Sequence, residues 1–376
     1  MSAAVIRVLS VIATLDRSGA EKQFSLLAKG LPKDEFDLHA VALTRGGPYA
    51  DWLEEANIPL TILHKRMKAD PVALWRLRRL VRSLQPDIVH TWLFTANTYG
   101  RLAVGKNPQP KVIVSERCVD SWKSGWQLKT DQKLQSRTDR WVVNGESVGA
   151  FYQEQGVPSE KITVIPNGVD VTDSEPLSQD ERKRMLAEFD LPADARIVGY
   201  VGRLASQKRV KDLIWSIQML RQIQENVFLL IVGDGPERDA LGEFARQMTC
   251  APFVRFAGHR QDSSNLMRLF DVFWLASEFE GMSNSLMEAM AAGVPAITSD
   301  IPPNRELVVD GETGYVVNVG DCPAFAQFAD RILADSELKA RLGTAARSRM
   351  REHFCIEQMV ERHAELFRSI TQEQNG

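Results

Sequence analysis

The chain has 376 residues, 44% of them hydrophobic and 25% charged, and its 46 Lys/Arg against 49 Asp/Glu leave a formal charge of −3. These proportions exclude a disordered, fibrous or low-complexity chain and leave room for two domains with sizeable cores. Four scattered cysteines, Cys118, Cys250, Cys322 and Cys355, form no C-x-x-C pair, which argues against a zinc ribbon or a disulfide framework and for a reducing, cytoplasmic setting. The charge is unevenly spread: residues 1–170 carry 23 basic and 18 acidic side chains, a balance of +5, and residues 171–376 carry 23 and 31, a balance of −8. A basic N-terminal half favours an anionic acceptor or a membrane surface.

In chain order, residues 5–13 are apolar but interrupted by Arg7 and preceded by no cationic segment, so they are read as a first buried strand rather than a secretory signal. No apolar run approaches the length that spans a bilayer. Further strands are predicted at 36–43, 60–63, 87–90, 112–115, 141–143 and 162–165, then at 197–201, 228–232, 253–256, 272–276 and 296–298. Helical patterns lie between most of them. Val/Ile-rich strands separated by helices imply parallel α/β sheets. Gly19, in the turn after the first strand, lets backbone approach a ligand with no Cβ in the way, or simply starts a helix. Residues 72–84 form a basic amphipathic stretch: Leu74, Leu77, Val81 and Leu84 share one face, Arg76, Arg78, Arg79 and Arg82 lie off it, and Trp75 is placed for an interface. Both a membrane-facing helix and an ordinary packed helix fit that pattern. His90 ends a strand, and Glu116 and Arg117 follow another.

The turn chemistry of Pro166-Asn167-Gly168 marks the crossing between domains, followed by the polar segment Asp173-Ser174-Glu175-Pro176. Beyond the strand at 197–201 come Gly202, Arg203 and Lys208. Ligands of α/β sheets bind outside the carboxyl ends of the strands, and a guanidinium fork with an ammonium suits phosphate oxygens. Gly233-Asp234-Gly235 fails the dinucleotide fingerprint G-x-G-x-x-G because position 238 is Arg, and is read as a structural turn. Gly258, His259 and Arg260 form a loop after the next strand. Most informative is residues 277–291, where a polar loop runs from a buried strand into a helix, with Glu280 in the loop and Glu288 in the helix. Backbone N–H groups and a helix N-terminus make a phosphate seat, and flanking carboxylates accept hydrogen bonds from hydroxyls; together they fit a nucleotide sugar. No His/Asp/Cys grouping has metal-ligand spacing, and Asp170-Val171-Thr172-Asp173 is not a D-x-D site.

The run Glu280-Gly281-Met282-Ser283-Asn284-Ser285, leading to Glu288-Ala289-Met290-Ala291, resembles the E-x7-E region of the retaining GT-B glycosyltransferases of family GT4. The Gly202-Arg203-Leu204…Lys208, Gly233-Asp234-Gly235 and Pro166-Asn167-Gly168-Val169-Asp170 motifs extend that resemblance along nearly the whole chain. It implies a GT-B fold of two Rossmann-like domains facing a cleft. Residues 1–170 would bind acceptor, residues 171–355 would bind the donor, and a last helix from about 356 would return to the first domain. In donor binding, Glu280 would contact the sugar, Glu288 the ribose, and Arg203 and Lys208 the diphosphate. Gly19, Gly202 and the residues from Gly281 to Ser285 (Met282, Ser283 and Asn284 among them) would line the donor, with Gly258, His259 and Arg260 near the base. Glu280, Arg203 and Lys208 would be the catalytic group. His90, Glu116 and Arg117 are acceptor-side candidates. Two departures stand out: Arg209 follows Lys208 where the family usually has Gly, and Trp92 and Arg117 occupy places where relatives carry His.

The implied activity is retaining transfer from a nucleotide-diphosphate sugar, with UDP expected from family frequency, to a hydroxyl of a glycan or lipid-linked acceptor in surface polysaccharide or glycoconjugate synthesis. No metal and no other cofactor is expected, and no nucleic-acid partner. The alternatives are a non-catalytic sugar-nucleotide-binding protein and a Rossmann-type oxidoreductase.

Overall fold

Each short Val/Ile-rich run becomes a strand, and every strand pairing is parallel. The computed structural model describes residues 5–106, 108–119, 123–172 and 177–372. Two compact units result, Met1–Gly168 with Ile356–Gly376, and Val169–Cys355. The polar segment at 173–176 lies outside the described residues, as do residues 373–376 of the expected last helix.

The first unit alternates β1 (Ile6–Thr14), α1 (Gly19–Gly30), β2 (Phe36–Arg45), α2 (Pro48–Glu55), β3 (Leu60–Ile62), α3 (Pro71–Leu84), β4 (Ile88–Trp92), α4 (Leu93–Val104), β5 (Lys111–Glu116), α5 (Gly125–Leu134), β6 (Arg140–Val143), α6 (Glu146–Glu154) and β7 (Ile162–Val164). The second runs α7 (Gln179–Ala187), β8 (Arg196–Val201), α8 (Val210–Leu220), β9 (Val227–Val232), α9 (Arg238–Gln247), β10 (Val254–Gly258), α10 (Ser263–Met267), β11 (Val272–Leu275), α11 (Asn284–Ala291), β12 (Ala296–Ser299), α12 (Pro302–Leu307), β13 (Gly314–Val317), α13 (Cys322–Ala334) and α14 (Ser336–His353). The last helix, α15 (Ile356–Gln372), belongs to the first unit, where it packs on α1 and β1.

The sheet orders are β3-β2-β1-β4-β5-β6-β7 and β10-β9-β8-β11-β12-β13. Each therefore reverses direction of growth once, at β1/β4 and at β8/β11, the place where loops diverge and a crevice opens. Burial on both faces accounts for the unbroken apolar runs, clearest in β9, whose six residues Val-Phe-Leu-Leu-Ile-Val are all buried. Strand limits differ from expectation by one or two residues, and one strand was unexpected. Ala251–Phe253 is a 3-10 turn, and β10 starts only at Val254, because Pro252 offers no amide to a ladder. Strand β13 was not among the expected strands; it opens on a glycine, a residue depleted in strands. Its Gly314 (φ +158°) passes so close to β12 that a Cβ would lie 2.3 Å from the Ala296 carbonyl oxygen.

Helix α3 starts at Asp70, whose side chain accepts from the amides of Val72 and Ala73, with Pro71 at the first helical position. Ala73, Leu77 and Val81 are buried, so the apolar stripe is a core face, while Arg76, Arg78, Arg79, Arg82 and Trp75 are exposed.

Helix α15 carries His363 into a buried cluster with His90 and Trp92 of β4, and with Arg117 just beyond β5. His90 Nε2 lies 2.8 Å from Ser115 Oγ, and its ring is 5.8 Å from His363. His363 Nδ1 donates to the Met359 carbonyl at 2.8 Å. The Arg117 guanidinium lies 4.0 Å from the Trp92 ring centre. Burial, reinforced by the Arg117 charge, holds His363 down at about 3; burial, His363 and Arg117 hold His90 well below its ordinary value. An unfolded chain protonates both imidazoles near pH ~6.5, whereas the folded one does not. Stability is therefore complete above that pH and declines as pH falls, by about 1.4 kcal/mol per unit for each imidazole. The melting temperature of the first unit is expected to drop steadily under acid, with a shallower slope in His363→Gln, as calorimetry over a pH series would read.

Candidate active site

The loops leaving β8, β9, β10 and β11 are joined to one another by backbone hydrogen bonds. Gly202 N–H donates to Val232 O (3.0 Å), Leu204 N–H to Asp234 O (2.9 Å), Glu237 N–H to Leu204 O (3.1 Å) and Gly233 N–H to Gly258 O (2.7 Å). On the other side, Glu278 N–H donates to Gln207 O at 2.8 Å, tying the β11 loop to the β8 loop across the switch point. These approaches need glycine. A Cβ on Gly233 (φ +141°) would sit 1.9 Å from Gly202 O, and one on Gly235 would sit 2.3 Å from Leu204 O. The turn Gly233-Asp234-Gly235 is thus a buttress for the Gly202–Lys208 loop.

On this frame stand the charged residues. Glu280 is buried and pairs with Lys208, which comes from the short 3-10 turn before α8. Ser277 Oγ donates to the same carboxylate oxygen, Oε1, at 2.6 Å. Glu280 Oε2 makes no hydrogen bond with the described residues, and Lys208 Nζ has no second protein partner among them. Arg203 is exposed; its carbonyl is fixed by the Tyr200 hydroxyl (3.1 Å), while no described residue hydrogen-bonds its guanidinium. Ser283 caps α11, accepting from Leu286 N–H, and the first helical turn brings Asn284 and Ser285 to the same end of the sheet. Gly281 and Met282 are buried beneath, and Glu288 follows one turn into the helix, half-buried. The structure therefore gathers Gly202, Arg203, Lys208, Glu280 and residues 281–285 around the β8/β11 switch point. A helix N-terminus, an unengaged guanidinium and an ammonium held by a carboxylate form an anion seat with hydrogen-bond acceptors beside it.

Other expected residues are differently placed. Gly258 (φ +68°) joins the loop lacing through its carbonyl, and His259 is exposed beside it. The Arg260 guanidinium is held in a fork by Asp262 (2.8 Å twice) and also by Glu188, which raises its pKa. In the first unit, Gly19 opens α1 at the carboxyl end of β1, where Ser18 and Thr14 both donate to Glu21. His90 is inside the cluster described above. Glu116 is held in a buried network: Lys123 Nζ lies 3.2 Å from it, Asn97 Nδ2 donates to it at 2.9 Å, and Lys123 also reaches Asp131 and the Tyr152 hydroxyl. Arg117 is buried, its pKa pushed down to about 9 by that burial, and it donates to Asn167 Oδ1 at 3.3 Å.

Ser277, Ser299 and Asn304 are absent from the residues picked out by motif. Asn304 Nδ2 donates to Ser299 O at 2.9 Å, Ser299 Oγ donates to Ser277 O at 2.5 Å, and Ser277 holds Glu280. Only Ser277, three positions from Glu280 across a tight loop, carried any sequence signal. At position 209 the backbone is left-handed (φ +50°), the conformation in which glycine is least strained, and Arg209 is steadied there by Asp212 at 2.7 Å. Among the described residues no group of three or more His, Cys, Asp or Glu is placed to hold a metal ion.

The two units match two family models. Residues 17–173 match Glycosyltransferase Family 4 and residues 181–349 match Glycosyl transferases group 1, so the chain belongs to the group 1/family 4 glycosyltransferases. Its fold is GT-B, as in Anabaena Alr3699/HepE in complex with UDP-glucose, which shares 20% identity and a TM-score of 0.87 over 97% of this chain and 100% of that one. Among relatives, the UDP-Gal:alpha-D-GlcNAc-diphosphoundecaprenol alpha-1,3-galactosyltransferase of Escherichia coli is 26% identical over 361 residues, 90% of each chain. The lipopolysaccharide core biosynthesis glycosyltransferase LpsE of Rhizobium meliloti (strain 1021) is 32% identical over 183 residues, about half of either chain. The family assignment sets aside the oxidoreductase alternative.

Gly233→Ala is expected to destabilise the second unit by about 2 kcal/mol or more through overpacking against Gly202, read by denaturant unfolding. Arg209→Gly, which relieves the left-handed strain while losing the Asp212 pair, is expected to change stability by less than about 1 kcal/mol.

Proposed function

We propose that this glycosyltransferase retains anomeric configuration, takes a nucleotide-diphosphate sugar, in the first instance UDP-linked, on its second unit, and transfers the sugar to a hydroxyl of a glycan or lipid-linked acceptor bound by the first. The observation that carries this reading is the Lys208–Glu280 pair beside the unengaged Arg203 at the β8/β11 switch point. Arg203, Lys208 and the N-terminus of α11 neutralise the departing diphosphate, so the reaction needs no metal ion. Glu280 positions the sugar through its unoccupied oxygen, and Glu288 accepts from the ribose. The departing phosphate receives the acceptor proton on the face from which it leaves, so no protein base is required. A UDP-linked donor is further supported by the UDP-glucose of the HepE complex and the UDP-Gal of the Escherichia coli relative. The latter's diphosphoundecaprenol acceptor favours a lipid-linked substrate and a place on the inner face of a membrane. No helix among the described residues is long and apolar enough to cross one.

Calorimetry with UDP, GDP, ADP and NADH in the presence of EDTA is the test. Binding of UDP that weakens at least tenfold in Arg203→Ala is expected, as for loss of a charge-assisted contact of about 1.5–3 kcal/mol; binding of none of the diphosphates sinks the proposal. With a turnover assay in hand, Glu280→Gln should lower kcat by about a hundredfold or more, and the anomeric proton coupling of the product should match the donor's. A protein that binds UDP and never turns over would instead be the non-catalytic binding protein.

A further inference from the structure

Of the two cations at the β8/β11 switch point, Lys208 is held by Glu280, whereas no described residue hydrogen-bonds the Arg203 guanidinium. Other arginines of this chain are steered by carboxylates: Arg45 by Asp16, Arg305 by Asp300 and Arg368 by Glu35, each through Nε and Nη2. Arg203 has no such guide, so its bearing comes from its main chain.

That main chain is held from below. Tyr200, in β8, is fully buried, and its hydroxyl donates to the Arg203 carbonyl at 3.1 Å. A buried phenol needs such a partner. Ala205 N–H donates to the same carbonyl oxygen at 3.1 Å, and at the other end of that peptide Leu204 N–H donates to Asp234 O at 2.9 Å. A peptide unit is a rigid plane, so fixing it at both ends sets the backbone dihedral ψ of Arg203 and the direction in which its side chain leaves the loop. The same hydroxyl accounts for Gly202. A Cβ there would lie 2.7 Å from the Tyr200 hydroxyl oxygen and 3.1 Å from its Cζ. Burial, with the charges of Glu280 and Glu237 added, raises the pKa of the phenol, which keeps it a donor throughout the neutral range.

We propose that Tyr200 is a positioning residue: its hydroxyl holds the Arg203–Leu204 peptide so that Arg203 presents its guanidinium to the diphosphate of the donor. This rests on the donor reading above, in which Arg203 touches the diphosphate and Tyr200, having no exposed surface, acts only through the loop. A long side chain whose stem is already set has less freedom to lose when a ligand arrives, and the gain appears as affinity.

The test is a double-variant cycle on UDP binding, by calorimetry with EDTA present, in Tyr200→Phe, Arg203→Ala and the two combined. Tyr200→Phe removes one oxygen and keeps the ring that fills the core. It is expected to weaken UDP binding about threefold to tenfold while Arg203 is present, as for one hydrogen bond, and by less than about twofold in the Arg203→Ala background. A general loosening of the unit would weaken binding alike in both backgrounds; that result, or full affinity in Tyr200→Phe, overturns the proposal. Amide hydrogen exchange on the ligand-free chain gives a readout that needs no donor. Leu204 and Ala205 are expected to exchange faster in Tyr200→Phe than in the wild type, and unchanged exchange there also overturns the proposal. Were the wild type to bind no nucleoside diphosphate while these amides did exchange faster, the donor reading would fall and the hold of Tyr200 on this loop would stand.

Discussion

A parallel sheet that grows first one way and then the other leaves one pair of adjacent strands whose loops turn apart, and the candidate site of the second unit is built around that gap at β8/β11. Loops on both flanks are pinned to their neighbours through main-chain amides, so the gap keeps its shape without relying on side chains. Into it the structure places an ammonium and a carboxylate that neutralise each other until a ligand arrives. Removing two charges from water is costly, and the Lys208–Glu280 pair is sustained because Ser277 supplies a further donor and because both side chains keep some exposure to water. Lys208 can take a further acceptor without losing its counter-charge, and one Glu280 oxygen has no donor among the described residues.

The support behind Glu280 extends further than the motif does. Asn304, Ser299 and Ser277 form a relay of hydrogen bonds running from α12 through the end of β12 to the loop. Each member is buried, so each bond acts in a poorly screened environment; two of the three end on main-chain carbonyls and so pin the backbone that carries Ser277. Such a relay holds the Glu280 carboxylate in place. In the first unit the equivalent buried polar groups act differently. Glu116, Lys123, Asp131 and Asn97 satisfy one another, and Arg117 lies flat on Trp92. These groups bind the helices to the sheet.

Much of this was legible in the residues. Apolar runs separated by amphipathic segments gave twelve of the thirteen strands, since doubly buried parallel strands leave that signature without ambiguity. The residues gathered at β8/β11 were legible as polar, glycine-containing loops after strands; the donor-side roles expected of them came from the family resemblance. Strand β13 opens on Gly314 after a polar turn and was passed over. Arg260 and His90 show the limit of reading side chains from position: spacing puts a residue in a loop or at a strand end, but the partner that captures it, Asp262 and Glu188 or the ring of His363, comes from packing. Ser299 and Asn304 carry no pattern at all, because their importance lies wholly in a contact made across the chain.

The first unit is discontinuous in sequence. Its core includes Met359, His363 and Phe367 of α15, and Phe367 packs edge-on against Phe36 at 6.0 Å, so residues more than three hundred positions apart share one hydrophobic interior. The second unit is a single uninterrupted stretch, Val169–Cys355. Synthesis on a ribosome therefore inverts the numerical order of the two: the later unit can complete its sheet and close its core while the earlier one still waits, with an apolar groove along α1 and β1 uncovered, for its final helix to emerge. A chain that stopped after Cys355 would lack a helix of the first unit and keep the second whole.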